Sequence, residues 1–449
     1  MVSHRHDMLY HNIWQSLMCK TPELCLLYHA DISISRWSDG MGNPKDNSLP
    51  KCQLLRIQNM VDEINFPDRA NVEHVPFWID TLCVPVREEF KDFRKRCIVN
   101  MRNIYERAAA VLVLDAGLQE IPRSAPVVER CVRLHQSFWQ RRLWTFQEGM
   151  LAQELYYRFS DKSQYLRDLT NEAIKYEDQL RAKGIYVSIR ETAESKVNVQ
   201  FTLLKQPISR IKCGWDSPSS RWITFLPLTE AIRSRRTSRA SDEVLCAATI
   251  LGIDPTPFLE IKEKDVQRLA DRRMELFLQY IHKFPSGIIF NRLPRLQSDG
   301  YRWAPRSLMG GLSGDIGDLS DTDNYGEIYK LDQSISLWVR YPGIKLEPIK
   351  SHLNTRIIVI TGNDQHSVQL SPDEKGNYIR WNKDLLYYLV MAKIPSSESG
   401  SLAILGSKDK SENVNLRHEC LAWIELLAEP EDGDVRGEIL SEDTYWYIM

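Results

Sequence analysis

The stretch Ala110-Val111-Leu112-Val113-Leu114-Asp115 decides the fold class that the sequence predicts. Consecutive apolar residues without a polar interruption are typical of a strand that is covered on both faces, and such strands belong to parallel sheets flanked by helices. Asp115 follows directly at the carboxyl end of the strand, where open α/β sheets bind their ligands. The run therefore predicts an α/β protein with a buried parallel strand over residues 110–114.

The segments around this strand alternate between strand and helix signals from about residue 28 to residue 160. Residues 31–35 and the run Phe77-Trp78-Ile79-Asp80 predict two further strands, and residues 155–159 predict a fourth. The spacing of apolar residues predicts helices after Pro50, over 88–108 and over 125–152. Because strands and helices alternate, we expect a parallel sheet flanked by helices.

The remainder of the chain has a different pattern. Residues 161–285 show charged and helical segments, with a helix start at Ala240-Ser241-Asp242-Glu243. Beyond residue 285, short β-branched or aromatic runs alternate with Gly, Pro and Asp turns; examples are Ile288-Ile289-Phe290, Ile335-Ser336-Leu337-Trp338-Val339 and Arg356-Ile357-Ile358-Val359-Ile360. We therefore expect an α/β domain at 28–160, a helical region at 161–285 and a β-rich C-terminal module at 286–449.

Composition excludes several classes of function. The 449 residues carry 58 basic and 60 acidic side chains, so no overall positive field attracts nucleic acid. The basic run Arg233, Arg235, Arg236 and Arg239 lacks interleaved aromatics, and a solvated or ion-paired face is the interpretation that we prefer. The longest apolar run, 108–114, is far shorter than the roughly 20 residues that a membrane helix needs. We expect no membrane span and no nucleic-acid partner.

Cysteine usage and the N-terminus favour a cytoplasmic protein. Nine cysteines occur without a Cys-x-x-Cys pair or a His/Cys cluster at zinc-binding spacing, so we expect reduced thiols and no metal. No apolar signal stretch follows Met1. Cys83 lacks a nearby His and is interpreted as packing. Neither a Gly-x-Ser-x-Gly elbow nor a phosphate-binding Gly-Lys-Ser/Thr loop is present, which leaves hydrolase and nucleoside-triphosphatase functions without support.

Four blocks of sequence occur in a fixed order over roughly 130 residues. They are Trp37-Ser38-Asp39-Gly40-Met41-Gly42-Asn43-Pro44, Phe77-Trp78-Ile79-Asp80-Thr81-Leu82-Cys83, the segment from Met101 to Asp115, and Arg142-Leu143-Trp144-Thr145-Phe146-Gln147-Glu148. Together they resemble the motifs of the fungal heterokaryon-incompatibility (HET) domain, and four ordered blocks are more specific than one motif. Looser similarity follows at Gly300-Tyr301-Arg302-Trp303-Ala304-Pro305, which we interpret as architectural.

The resemblance implies a TIR- or flavodoxin-like fold, because HET domains are thought to be distant relatives of TIR domains. In TIR domains a Trp and a Glu four residues later lie on one helix, and Trp144 and Glu148 have this spacing. Residues four apart share a helix face. One departure is the first strand, where Ile34-Ser35-Arg36 precedes Trp37 and the family's His is absent.

The resemblance also implies a chemistry, cleavage of the bond between nicotinamide and ribose in NAD. A carboxylate stabilises the positive charge that develops on the sugar, so Glu148 is the catalytic candidate. Its alternative is a helix-surface Glu paired with Arg141 or Arg142. The candidates for nucleotide binding are Arg36, Asp39, Gly40, Gly42, Asn43, Asp80 and Trp144. For these the alternatives are a tight turn for the loop, a cap for Asp80 and a core position for Trp144.

The function that the resemblance implies is nonself recognition and programmed cell death in fungi. Protein partners or self-association are expected, with no required cofactor and with NAD as a candidate substrate. Whether the protein is an enzyme is left open. In one alternative, association of domains completes a pocket in which Glu148 acts on NAD. In the other, the domain is a non-catalytic scaffold, an alternative that the departure in the first strand favours.

Overall fold

A computed structural model describes the greater part of the chain. The described residues are 25–29, 49, 51–64, 74–85, 87–186, 221–311, 325–331, 334–347, 356–362, 364–372, 376–377, 379–396, 399–410, 415–427, 435–441 and 444–449, with the backbone alone for 25–29, 81, 221–224, 226, 331 and 334. The predicted strand at 31–35 and the glycine-containing loop after it lie outside these residues.

Helices dominate the first two thirds of the described chain. In chain order they are α1 (Lys51–Asp62), α2 (Asp80–Cys83), α3 (Lys91–Arg107), α4 (Val127–Gln136), α5 (Phe138–Arg141), α6 (Trp144–Leu151), α7 (Leu166–Arg181), α8 (Arg221–Ile232), α9 (Asp242–Ile250), α10 (Thr256–Glu260) and α11 (Val266–Ile281). Short 3-10 turns lie at Glu88–Phe90, Leu118–Glu120 and Ser286–Phe290.

Strands occur as a first group within the first 165 residues and a second group after residue 282. The first group is β1 (Cys25–His29), β2 (Phe77–Trp78), β3 (Ala110–Leu114), β4 (Leu155–Arg158) and β5 (Ser163–Tyr165). The second group is β6 (Lys283–Pro285), β7 (Tyr325–Leu331), β8 (Ser334–Arg340), β9 (Gly343–Leu346), β10 (Arg356–Thr361), β11 (Asp364–Leu370), β12 (Leu385–Met391), β13 (Ser401–Asp409), β14 (Asn415–Leu426), β15 (Val435–Ile439) and β16 (Tyr445–Ile448).

The chain divides into two compact units. The N-terminal unit comprises Met1–Cys213 and Ser234–Val266, and the C-terminal unit comprises Gly214–Arg233 and Gln267–Met449. Helix α8 therefore belongs to the C-terminal unit, whereas α9, which follows it, belongs to the N-terminal unit. Each unit is built around its own strands.

The N-terminal unit contains a mixed sheet of order β2-β1-β3-β4-β5. Strands β2, β1, β3 and β4 pair in parallel, and β5 pairs with β4 in the antiparallel sense. Strand β3 is buried along its whole length. On one face, Ile57 and Val61 of α1 pack in a core cluster with Leu112 of β3. Burial on both faces explains why the sequence of β3 is apolar without alternation.

The expectation of a TIR- or flavodoxin-like parallel sheet is wrong. The sheet is mixed, because residues 159–162 between β4 and β5 are too few for the crossover of a dozen or more residues that a parallel strand requires. Strand β2 has only two residues, Phe77 and Trp78. The C-terminal half, for which the sequence predicted only a β-rich module, is organised around a closed barrel.

Seven strands of the C-terminal unit close into that barrel. Their order is β11-β10-β15-β9-β12-β13-β14, and antiparallel pairing of β11 with β14 closes the ring. Alternate residues of β10 are buried, as in a strand with one face toward a barrel interior. The interior holds an apolar cluster that includes Ile344, Val359, Leu389 and Ile424. Because the ring is closed, each of the seven strands pairs with a neighbouring strand on both sides.

The long strand β14 continues from the barrel into a second group of strands. Its first residues, Asn415 and Leu416, pair in parallel with β16, and the order continues through β8, β7 and β6. The 3-10 turn Ser286–Phe290 follows β6 directly and contacts β13. The predicted strand at Ile288-Ile289-Phe290 is therefore wrong, because these residues form the buried turn instead of a strand.

Several individual helices and strands that the sequence predicts are confirmed. The strand at residues 110–114, the helix ending near residue 108 and the helix start at Asp242 all occur. The single helix predicted over 125–152 is instead three short helices, α4, α5 and α6. The apolar spacing over 88–108 also predicts that Phe93 lies on the face of the helix that packs on the sheet, and this is wrong, because Phe93 of α3 is 42% exposed.

Candidate functional site

Helix α6 carries the catalytic candidate and is enclosed by protein. Residues 145 to 151 of this helix are all buried. Helices α3 and α9 both contact α6, and α9 also contacts α3. Because neighbours cover α6 on several sides, its polar residues lie in the interior together with its apolar ones. Glu148 is only 5% exposed, so the predicted alternative of a helix-surface Glu is wrong.

The Glu148 carboxyl is buried with one hydrogen-bond donor identified beside it. The indole Nε1 of Trp139 donates to Glu148 Oε2 at 3.4 Å. Burial raises the pKa of Glu148 well above its ordinary value, and the negative charge of Asp80 raises that pKa further. The positive charges of Arg142 and Arg235 act in the opposite direction. Desolvation is the largest of these effects, so the neutral carboxyl is favoured in the folded protein.

Arg235 supplies a buried cation close to this carboxyl. Its guanidinium donates to the backbone oxygen of Arg142 at 2.9 Å, to Thr145 Oγ1 at 3.2 Å and to Gln140 Oε1 at 3.4 Å. It also lies over the ring of Phe146, 4.6 Å from the ring centroid. Burial lowers the pKa of Arg235 to about 10, so it remains charged at neutral pH.

Several buried polar atoms of this region have unused hydrogen-bonding capacity among the described residues. Within the described part of the chain, the amide of Gln147 lacks a partner at both of its atoms, and Gln140 Nε2 and the Tyr157 hydroxyl also lack one. Tyr157 contacts Trp139 edge to face, with ring centroids 5.8 Å apart. Each unsatisfied buried group costs about 1–3 kcal/mol, so a concentration of them marks a region that stability alone does not explain.

The structure brings together only some of the predicted site residues. Asp80 begins α2, is half-buried and acts electrostatically on Glu148. Trp144 is half-buried, and its Nε1 donates to Asp242 Oδ2 of α9 at 3.3 Å, which ties its indole to a neighbouring helix. The loop candidates Arg36, Asp39, Gly40, Gly42 and Asn43 lie outside the described residues.

Asp115, at the end of β3, has a structural role. Its Oδ1 accepts hydrogen bonds from the backbone N–H groups of Gly117 at 2.9 Å and Leu118 at 3.4 Å, and its Oδ2 accepts from the N–H of Trp139 at 3.2 Å. Burial raises the pKa of Asp115. The carboxyl therefore fixes the turn after β3 and the start of α5, and through Trp139 it also positions a donor to Glu148.

The sequence analysis missed Arg235 as a member of this site. The interpretation of the run from Arg233 to Arg239 as a solvated or ion-paired face is wrong for Arg235, which is 3% exposed. It holds for Arg233, which pairs with Glu230 at 3.6 Å, and the side chain of Arg236 is exposed. The order of arginines contains no signal that separates Arg235 from its neighbours, because its burial depends on where α6 lies.

The remaining reactive groups near the site are inert. Burial raises the pKa of the Cys83 thiol to about 12, so it is protonated at neutral pH and a poor nucleophile. Cys246 of α9 is buried, and its Sγ donates to the backbone oxygen of Leu143 at 3.5 Å. In the part of the chain that the structure describes, no group of three His, Cys, Asp or Glu side chains is arranged to hold a metal ion.

Glu148 is expected to make stability depend on pH. A carboxyl whose folded pKa exceeds its unfolded pKa stabilises the fold fully below the unfolded value, near 4.5, and loses this contribution as pH rises toward the folded value. Glu148→Gln removes the ionisable group and keeps the shape. We expect the unfolding free energy of Glu148→Gln, relative to the unaltered protein, to rise between pH 5 and pH 8 by up to about 1.4 kcal/mol per pH unit.

Urea unfolding of both proteins at matched pH values measures this difference. Asp115 is present in both proteins, so its own titration cancels in the comparison. Parallel stability curves over the whole range would contradict a raised pKa at Glu148.

Comparison with known proteins identified no relative. No family model matches the chain, and neither a curated protein nor a solved structure is similar to it at a significant level. Among the described helices, none is both long enough and apolar enough to cross a membrane.

Proposed function

We propose that the chain is a HET-type protein of fungal nonself recognition and cell-death signalling, and that Glu148 is its catalytic carboxyl, acting on NAD in the cytoplasm after self-association. The observation that carries the proposal is the buried cluster around Glu148. It combines two acids, Glu148 and Asp80, with the cation Arg235 and with polar groups that have no hydrogen-bond partner among the residues that the structure describes. An acid with a perturbed pKa, such as Glu148, occurs preferentially at functional sites.

Three of the four sequence blocks, the second, third and fourth, support the family assignment independently of the sheet. Residues of the second block, at Asp80, and of the fourth block, at Glu148, act on one another electrostatically although they are far apart in sequence. The third block supplies β3 and ends at Asp115, which holds Trp139 beside Glu148. Motifs that contribute to one site are expected of a functional module. This argument does not depend on whether all strands of the sheet are parallel.

The proposed reaction is hydrolysis of the bond between nicotinamide and ribose. The C1′–N bond breaks with its electron pair leaving on nicotinamide, water adds to C1′, and one proton is released with ADP-ribose. The positive charge that develops on the ribose favours a nearby carboxylate. The nicotinamide ring of NAD is itself cationic, so its approach favours the ionised form of Glu148, which Arg142 and Arg235 also favour.

A second candidate function is a non-catalytic scaffold of the same family. The observation that favours it is the enclosure of the site in the single chain. Glu148 is 5% exposed and accepts a hydrogen bond from Trp139, and the indole of Trp144 is bonded to Asp242. Substrate would reach Glu148 only after these contacts rearrange, so the enzymatic function requires that assembly opens the site.

Expression in a fungal host distinguishes the two candidates. We expect the unaltered chain to lower cellular NAD before viability falls, and Glu148→Gln to do neither, because the amide cannot carry the negative charge. Glu129→Gln is the matched control, since Glu129 is an exposed residue of α4. It should behave as the unaltered chain does.

Cell death with unchanged NAD in both the unaltered chain and Glu148→Gln would contradict the enzymatic function and support the scaffold. Equal expression and equal thermal unfolding of the variants must accompany the comparison. An inactive Glu129→Gln variant would show that loss of any carboxylate in this unit is harmful, and would remove the assignment to Glu148.

A further inference from the structure

Helix α9 packs against the face of α6 that carries Glu148. Trp144 and Glu148 are four residues apart and share this face of α6, and Asp242 and Cys246 have the same spacing on α9. The indole Nε1 of Trp144 donates to Asp242 Oδ2 at 3.3 Å. Burial raises the pKa of the Cys246 thiol, and the negative charge of Glu148 raises it further, so these two side chains also lie near one another.

Helix α9 is a fixed part of the N-terminal unit. Its residues 243–250 are all buried. At its carboxyl end, Arg102 of α3 donates to the backbone oxygens of Thr249 at 2.5 Å and Ile250 at 3.1 Å. Because the helix is enclosed and is bonded to a neighbouring helix, Asp242 in its first turn is a stationary acceptor.

The Trp144 indole is the part of this contact that can move. Trp144 is the first residue of α6 and is half-buried, whereas the residues that follow it in the helix are buried. A partly exposed side chain at the start of a helix changes its rotamer without loss of the backbone hydrogen bonds of that helix. The bond to Asp242 therefore fixes one of several orientations of the indole.

The carboxyl of Glu148 lies toward the turn that begins with Trp144. Helical side chains lean toward the amino terminus of their helix, so a residue covers the turn that precedes it. The hydrogen bond from Trp139, which precedes α6, to Glu148 Oε2 agrees with this direction. Since Trp144 is half-buried and Glu148 is 5% exposed, the indole belongs to the solvent side of this carboxyl.

We propose that the hydrogen bond between Trp144 and Asp242 is an autoinhibitory latch, which holds the indole over Glu148 in the single chain and is released when the protein self-associates. This inference rests on the proposed function and names the regulation of the same site. In the closed form the indole keeps NAD from Glu148. In the open form the indole is free to stack on a ring of NAD, the role that the resemblance implies for Trp144.

Loss of the latch shifts the equilibrium between the closed and open forms. The bond stabilises the closed form alone, so its removal raises the open fraction by the factor that the bond contributed. For a hydrogen bond to a charged group this factor is about tenfold or more. The bond is longer than the usual ~3.0 Å, which places the expected factor at the lower end of that range.

Nicotinamide release by Trp144→Phe and by Asp242→Ala tests the latch, at protein concentrations too low for the unaltered chain to be active. Trp144→Phe removes the N–H donor and keeps an aromatic ring, and Asp242→Ala removes the acceptor. We expect each variant to release nicotinamide about tenfold faster per chain than the unaltered protein and to depend less on concentration. The double variant should gain no more than either single variant, because all three lack the same bond.

Trp423→Phe is the matched control. Trp423 Nε1 also donates to a carboxylate, Glu425 Oε1, at 2.5 Å, but this pair lies on β14 of the C-terminal unit. The same chemical change at this place should leave the rate and its dependence on concentration as they are in the unaltered protein. A gain of activity in Trp423→Phe as large as that in Trp144→Phe would overturn the assignment of the latch.

A measurement without turnover separates the latch from the reaction. Carbodiimide couples accessible carboxyls to glycine ethyl ester, and mass spectrometry of the peptide that contains Glu148 gives the rate of its modification. We expect this rate to be about tenfold higher in Trp144→Phe than in the unaltered protein and in Trp423→Phe. Asp115, which is 0% exposed in the same unit, is the internal reference and should be modified at the same low rate in all three.

The two measurements distinguish failure of the latch from failure of the proposed function. Faster modification of Glu148 in Trp144→Phe, with no nicotinamide release by any form at any concentration, would support the latch and contradict the NAD chemistry. Active unaltered protein, together with equal rates of release and of Glu148 modification in Trp144→Phe, would overturn the latch and leave the proposed function in place.

Discussion

Arg235→Ala is expected to destabilise the N-terminal unit by about 3 kcal/mol or more. The guanidinium satisfies the backbone oxygen of Arg142, Thr145 Oγ1 and Gln140 Oε1, and it stacks on Phe146. Alanine would leave these oxygens without this donor in an environment from which water is largely excluded. Loss of the cation would also raise the pKa of Glu148 further, because Arg235 is one of the charges that lower it.

Arg236→Ala is the matched control for this prediction. Arg236 adjoins Arg235, but its side chain is exposed, and its backbone, which alanine preserves, makes the bonds to Arg141 and Leu143. An exposed substitution of this kind is expected to change the unfolding free energy by less than about 0.5 kcal/mol. Urea unfolding measures both variants. Equal stability of the two variants would contradict the structural role of Arg235.

Gly300→Ala is expected to destabilise the C-terminal unit by about 3 kcal/mol or more, from backbone strain and overpacking together. Gly300 has φ +88°, and a Cβ added to it would lie 2.5 Å from the backbone oxygen of Ile335. The Gly300 carbonyl also accepts a hydrogen bond from Trp303 Nε1 at 2.8 Å, so a shift of this turn would disturb the buried indole. The clash is with backbone, which a change of rotamer cannot relieve.

Gly362→Ala separates strain from clash. Gly362 lies in the hairpin between β10 and β11 with φ +62°, and apart from its chain neighbours no heavy atom of the described residues lies within 4 Å of the position of an added Cβ. This control should cost only the left-handed backbone penalty, about 1 kcal/mol. Urea unfolding that gave the same cost for both glycines would contradict the close approach of Gly300 to Ile335.

The sequence predicts individual elements better than their arrangement. Strand β3 is predicted to its exact bounds, because an apolar run that is covered on both faces has a direct signature in composition. The sense of β5 is not predicted, because it depends on the connection at residues 159–162, whose charged sequence continues into α7. Barrel closure depends on the pairing of β11 with β14, segments far apart in the chain.

For the candidate site too, the sequence predicts the local motifs but not their tertiary arrangement. The blocks that contain Asp80 and Glu148 are visible in the sequence, and the structure shows their electrostatic interaction. The burial of Glu148 is not visible, because α6 is short and the helices that cover it come from other parts of the chain. Arg235 is missed for the same reason. Tertiary packing buries Arg235 and leaves Arg233 and Arg236 exposed, and the local sequence pattern does not predict this difference.

The segment from Gly300 to Pro305 illustrates a further limit of sequence reasoning. Gly300-Tyr301-Arg302-Trp303-Ala304-Pro305 is recognisable as a motif, and we interpreted it as architectural. Gly300 and Trp303 fit that interpretation through the turn and its indole hydrogen bond. Arg302 does not, since its Nε is buried without an acceptor within the described chain beside a cavity. One short segment therefore combines a structural turn with a buried hydrogen-bond donor that the turn does not explain.

The central claim, that Glu148 is a catalytic carboxyl, is tested most directly by the release of nicotinamide from NAD by purified protein over a range of protein concentrations. The account predicts that the rate per chain increases as the protein self-associates and that Glu148→Gln abolishes release, while Glu129→Gln retains it. Equal release by Glu148→Gln and the unaltered protein, at matched concentration and stability, would contradict the claim.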